Sequence, residues 1–260
     1  MSFGALPTEL DQCILRLLDK AELHNISKVS KYLRGIAEPM LYRDLSLKTG
    51  QDTKVRLLLL TLIARSDLAR RIMTVGLSGT QPSDYRLRHR RPTAFSRIRN
   101  SFDALHTVIS EAVMAKYASD EICVSWLGAI LSDECMEGSL ALIIYFATNI
   151  RSVTIETPDT RYGSCLGKFL ASLNNGDPAA PQRLSQLQDV KLRASTTVVV
   201  PIFQSMRSLA IDSGAYDLAF EYQKTTSAHL HTFTLINVRV WVPEVVKILT
   251  CGYAANLVRL

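Results

Sequence analysis

The sequence predicts an α/β chain in which a small helical module precedes an irregular repeat of helix and strand. Three observations carry this. Apolar residues fall at helical spacing over the first forty-five positions. The pattern apolar-x-x-apolar-x-apolar recurs five times between 72 and 235. Helix-like stretches at 54–64, 138–148 and 242–249 precede several of those segments. With 260 residues, 47% of them hydrophobic and 21% charged, the chain can build a sizeable core and is not globally disordered. The longest apolar runs, LLLLTLIA at 57–64 and SLALIIYFA at 139–147, are far short of the roughly 20 residues a membrane span needs, so core helices are expected. Asp11, Arg16 and Asp19 interrupt what would be a signal peptide's apolar stretch. Cys13, Cys123, Cys135, Cys165 and Cys251 are scattered, odd in number and without a C-x-x-C pair, which predicts reduced thiols and a cytoplasmic or nuclear location.

In the first segment Pro7 suits the first position of a helix, where a missing N–H costs nothing. Glu9 and Asp11 follow in the first turn, at the positive end of the helix dipole. Leu10, Ile14, Leu17 and Leu18 form one apolar stripe. Asp19 caps a second helix with the stripe Leu23, Ile26, Val29 and Leu33. Pro39 disfavours helical geometry at Glu38, which predicts a third helix broken before Met40, Leu41 and Tyr42. A unit of this size buries little and depends on a partner surface.

Leu6-Pro7, Glu9, Ile14-Leu15, Leu17-Leu18, Leu23, Val29-Ser30-Lys31 and Leu41-Tyr42 stand in the order and spacing of an F-box, which residues 6–47 closely resemble. The phrase AEPMLYRDLSL resembles fungal members of that family. A departure is Tyr32-Leu33-Arg34, where many members carry an aromatic-basic pair. The resemblance implies an F-box over residues 1–47 that docks the Skp-type adaptor of a cullin–RING ubiquitin ligase. Its physics is that of apolar anchors on a helix entering a partner's groove. The candidate adaptor-binding residues are Leu6, Pro7, Leu10, Ile14, Leu15 and Leu18, continued by Val29, Ser30 and Lys31. Some of these must instead form the module's own core.

The repeat pattern reads Ile72/Val75/Leu77, Ile150/Val153/Ile155, Leu187/Val190/Leu192, Met206/Leu209/Ile211 and Leu230/Phe233/Leu235, and begins again at Leu257/Leu260. The middle residues are 78, 37, 19, 24 and 27 positions apart. The last three steps fit the roughly 20–29-residue period of leucine-rich repeats. The second and third apolar positions share one face of a strand, and Val, Ile and Phe suit a pleated surface. Stacking one helix and one strand per unit would give an irregular leucine-rich-repeat-like α/β solenoid over 48–260. An ordinary α/β domain with buried strands is the alternative. The regular Asn/Cys position of such repeats is missing. The closing NLVRL lacks a third apolar position and a polar cap, which predicts a truncated chain or one that continues. In a solenoid, Thr74, Ser152, Thr154, Asp189, Lys191, Arg193, Ser208, Asp212, Thr232 and Thr234 would line the open face. Asp189, Lys191, Arg193 and Asp212 are the candidate substrate-binding residues.

Net charge is +6, and it is local. Arg86, Arg88, Arg90, Arg91, Arg97 and Arg99 lie in one stretch without an acid, and the remaining bases equal the acids, at 24. This reads as a solvated insertion near 81–100, with a nuclear-localisation or acidic-partner patch as the other readings; membrane and nucleic-acid partners are not expected. Nothing firm points to catalysis. YGSCLGK at 162–168 has too few residues between its glycines for a phosphate loop, and Phe169 stands where Ser or Thr must hold Mg²⁺. His229 and His231 have no third ligand nearby, so no metal and no cofactor are expected. Cys165 reads as a small buried hydrophobe. The function expected is that of a non-catalytic substrate-receptor subunit of an SCF-type ligase. A protein-interaction scaffold outside any ligase is the alternative, and an enzyme using His106, His229 or His231 a further one.

Overall fold

The computed structural model describes residues 7–48, 51–79, 92–120, 123–124, 127, 136–156, 184–193, 198–199, 205–212, 220–221 and 230–236. Three helices come first: α1 Thr8–Leu15, α2 Lys20–Ile26 and α3 Lys31–Arg43. Strand β1, Asp44–Lys48, follows α3 without a break. Helices α4 Asp52–Ala64 and α5 Ser66–Ala69 lead to β2 Thr74–Ser78. Helices α6 Pro92–Tyr117 and α7 Met136–Phe146 precede β3 Ser152–Glu156. Then come β4 Asp189–Arg193, β5 Val198–Val199, β6 Ser208–Asp212, β7 Phe220–Glu221 and β8 Thr232–Ile236.

Pro7 sits at the N-cap of α1, one residue earlier than expected, and its carbonyl accepts from the N–H groups of Leu10 and Asp11 at 2.9 and 3.2 Å. Asp19 caps α2 as the sequence predicts. Its Oδ1 accepts from the Glu22 N–H at 2.8 Å, and the Glu22 carboxylate accepts from the Asp19 N–H at 2.9 Å, a reciprocal capping box. Helix α3 does not break at Pro39 but runs through it to Arg43. Pro39 withholds the N–H that would bond the carbonyl of Gly35. Gly35 is exposed, and nothing lies within 4 Å of where its Cβ would be. Packing of Ala37, Met40 and Leu41 against Leu15 and Leu23 holds the helix beyond the proline.

Strands β1, β2, β3, β4, β6 and β8 form one parallel sheet in chain order, and β5 pairs with β7 separately. The five apolar triplets of the sequence all form this sheet, in a common register. Val75 faces Val153, which faces Val190, then Leu209 and Phe233. The sheet has a sixth strand, β1, beyond those five: Leu45 continues this row and Leu47 the row of Leu77. Tyr42, Leu45 and Leu47 carry the same spacing as the other triplets. A parallel sheet covered on both faces reads as continuous apolar runs. Here only alternate residues are apolar, and one face is buried. Ile72, Ile150, Leu187, Met206 and Leu230, at the first triplet position, are all buried just ahead of their strands.

Helices α4, α6 and α7 complete that core. Val55, Leu59, Leu62 and Ile63 are the buried stripe of α4, which packs on both α6 and α7. Residues 139–147 are buried on every side, as expected for a helix apolar all round. The Tyr117 and Phe146 rings stack at 4.7 Å, and the Lys116 ammonium donates to the Ile63 carbonyl at 2.5 Å, closing the end of α4. Helix α6 begins at Pro92, so residues 92–99 of the basic stretch are helical in backbone. Residues 86–91 lie outside the described residues, as do the helix expected at 242–249 and the partial unit at 257–260. Among the described residues no helix is long and apolar enough to cross a membrane.

Candidate docking surfaces

The N-terminal helices have their own small core: Leu15, Leu23 and Ala37, with Leu18, Ile26, Ile36, Met40 and Leu41 packed on it. Helix α1 stops at Leu15, so the predicted stripe is divided. Leu15 has 0% of its surface exposed and Leu18 is half-buried, whereas Leu10 and Ile14 face outward and Leu17 is 86% exposed. Val29, in the turn before α3, is 71% exposed. These apolar side chains are left outside a module that has few buried ones.

The residues expected on that surface are therefore sorted. Leu6 lies outside the described residues. Pro7, Leu10, Ile14, Val29, Ser30 and Lys31 are exposed; Leu15 belongs to the interior and corrects the expectation, because the turn after Leu15 carries Leu17 outward in its place. Ser30 also acts locally, since its Oγ accepts from the Leu33 N–H at 3.1 Å and starts α3. Sequence reasoning missed Tyr32, 42% exposed. Its hydroxyl donates to Asp11 Oδ2 at 2.6 Å and brings the start of α3 alongside the exposed row of α1. The signal was an amphipathic tyrosine two residues past a cap, a ring fit to be wet at one end.

Asp11 itself is fully buried, and its Oδ1 has no hydrogen-bond partner. The hydrogen bond to Asp11 raises the Tyr32 phenol above its ordinary pKa, opposed by a bond from Thr8 and aided by burial and by the charge of Asp11 and Glu9. A raised folded-state value means that this contribution is complete at neutral pH and is lost only as pH rises beyond about 10. Replacing Tyr32→Phe leaves a buried carboxyl without its donor. A loss of stability is expected, read as a lower urea midpoint at unchanged slope. An unchanged midpoint would show that the bond carries no stability.

The second surface is the open face of the sheet. Thr74, Ser152, Thr154, Asp189, Lys191, Arg193, Ser208, Asp212, Thr232 and Thr234 all lie on the side opposite the core, as the alternation predicts. Lys191 Nζ meets Glu156 Oε1 at 2.6 Å, and Arg193 Nε lies 3.9 Å from Asp212 Oδ2. The charged group is thus cross-strand pairs at the centre of the sheet. Toward β1 the face becomes a shallow hollow of about 230 Å³ floored by Ser46, Thr74, Gly76, Ser152 and Thr154. Lys20 of α2 borders it and donates to the Asp44 carbonyl, and Thr74 Oγ1 donates to Asp44 Oδ1 at 2.6 Å. Arg65 bridges Glu38 of α3 at 3.2 Å and Asp67 of α5 at 2.9 Å, and its guanidinium holds Asp67 below the usual carboxylate range.

Among the described residues no three His, Cys, Asp or Glu side chains gather as a metal site. His231 is exposed at the entry to β8. His229, Cys165 and the 162–168 loop lie outside the described residues. The F-box-like family model matches residues 3–48. No curated protein and no solved structure matches the chain.

Proposed function

We propose that this chain is the substrate-receptor subunit of an SCF-type cullin–RING ubiquitin ligase, working in the cytoplasm or nucleus. The carrying observation is that the F-box-like residues 3–48 leave Leu10, Ile14 and Leu17 exposed in one row of α1 and the turn after it. A Skp-type adaptor of the fungal kind would take that row into a groove. The six strands in common register support reading the remainder as an irregular leucine-rich-repeat-like solenoid whose open face holds the substrate. Asp189, Lys191, Arg193 and Asp212 lie on that face. The chain catalyses nothing in this scheme and needs no cofactor. Its contribution is to raise the substrate's effective concentration beside the ligase's charged ubiquitin carrier.

Co-expression of the full chain with a fungal Skp-type adaptor tests the proposal. A one-to-one complex that stays together through size-exclusion chromatography is expected. A folded chain that elutes apart from the adaptor would overturn it and leave a scaffold that works outside the ligase.

A further inference from the structure

The sheet has a second feature that neither docking surface uses. Just before each strand one residue joins a continuous backbone ladder. The Arg43 carbonyl accepts from Met73 N–H, Met73 from Arg151, Arg151 from Gln188, Gln188 from Arg207, and Arg207 from His231, at 2.7–2.8 Å throughout. The ladder sets these residues side by side along one edge of the sheet. Arg43, Arg151 and Arg207 are therefore two strands apart, about 10 Å at the usual spacing of parallel strands. All three are exposed, and so is His231 at the end of the row. Lys191 and Arg193 on the open face have carboxylate partners. Among the described residues, no carboxylate lies within 4.0 Å of the guanidinium groups of Arg43, Arg151 or Arg207.

We propose that this arginine row binds an extended acidic segment of a partner protein, with carboxylates at every third residue. Three residues of extended chain span about 10 Å, the separation of alternate strands. An arginine also presents a flat fork that matches a carboxylate. Asp44 directly follows Arg43 and accepts from Thr74 Oγ1, and Asp189 directly follows Gln188, between Arg151 and Arg207 along the row. Asp189 would repel a nucleic-acid backbone, which carries a charge at every nucleotide, but it falls opposite an uncharged residue of a spaced acidic peptide. The inference deepens the receptor reading by naming the class of segment recruited.

The test uses the full chain without adaptor and a fluorescent peptide with glutamate at every third position, followed by anisotropy at about 50 mM salt. Binding is expected, weaker for a peptide of the same composition with its glutamates contiguous. Arg151→Gln/Arg207→Gln should weaken it about tenfold, as two charge-assisted contacts are lost. Arg16→Gln/Lys28→Gln, in the turns after α1 and α2, should leave it unchanged. Absence of binding, indifference to the arginine double variant, or tighter binding of an oligothymidylate would each overturn the inference. Because the adaptor is not needed, failure here with the adaptor complex intact refutes the acidic-segment site alone, and the reverse result refutes the receptor reading alone.

Discussion

Replacing Leu10 and Ile14 together by glutamate is expected to weaken capture of the Skp-type adaptor at least about 100-fold, with the thermal midpoint of the free chain essentially unchanged. Both side chains face outward, so the folded monomer loses little when they become polar. In a complex each would contribute roughly 1.5–3 kcal/mol of apolar burial, and the variant would in addition bury two carboxylates without partners. Leu15→Ala provides the contrast. It empties the small module core and should cost about 2–5 kcal/mol of stability, so any loss of binding would accompany unfolding. Isothermal titration with a melt of each variant separates the two. Adaptor affinity that survives the glutamates would remove this face from the interface.

The sheet gives the second large effect. Ile155 of β3 is buried against the core, while Thr154 lies on the opposite face of the same strand. Ile155→Ala should cost about 3 kcal/mol and lower the midpoint by roughly 6–12 °C. Thr154→Ala should change stability by less than about 0.5 kcal/mol. The pair tests the assignment of faces. Equal effects from both substitutions would contradict a sheet buried on one side only.

Much of this architecture is legible in the sequence, and the exceptions have physical causes. The five triplets form five strands because alternate apolar residues bury only one way in a sheet with one covered face. Strand β1 is harder to see although Tyr42, Leu45 and Leu47 have the same spacing, because Leu41-Tyr42 also closes the helical pattern before it. A residue count fixes neither where a helix stops nor which element claims a boundary. The same limit explains Leu15 and Leu17: helical periodicity puts both near one stripe, and only the end of α1 at Leu15 sends one inward and the other out. Pro39 predicts a break because proline penalises a helix locally. Tertiary packing of Ala37, Met40 and Leu41 outweighs that penalty. The pairings Lys191–Glu156 and Arg193–Asp212 depend on strand register, which links residues far apart in sequence.

Helix α3 ends at Arg43 and β1 begins at Asp44, with no residue between them. Each residue of a helix turns its face by about 100° and advances it about 1.5 Å. One residue gained or lost between Ser30 and Asp44 would therefore swing the α1 row about a quarter-turn around α3 relative to the open face of the sheet. The junction behaves as a screw thread: the helix length is a phase, and the bearing of one surface on the other changes in steps and not by gradual drift.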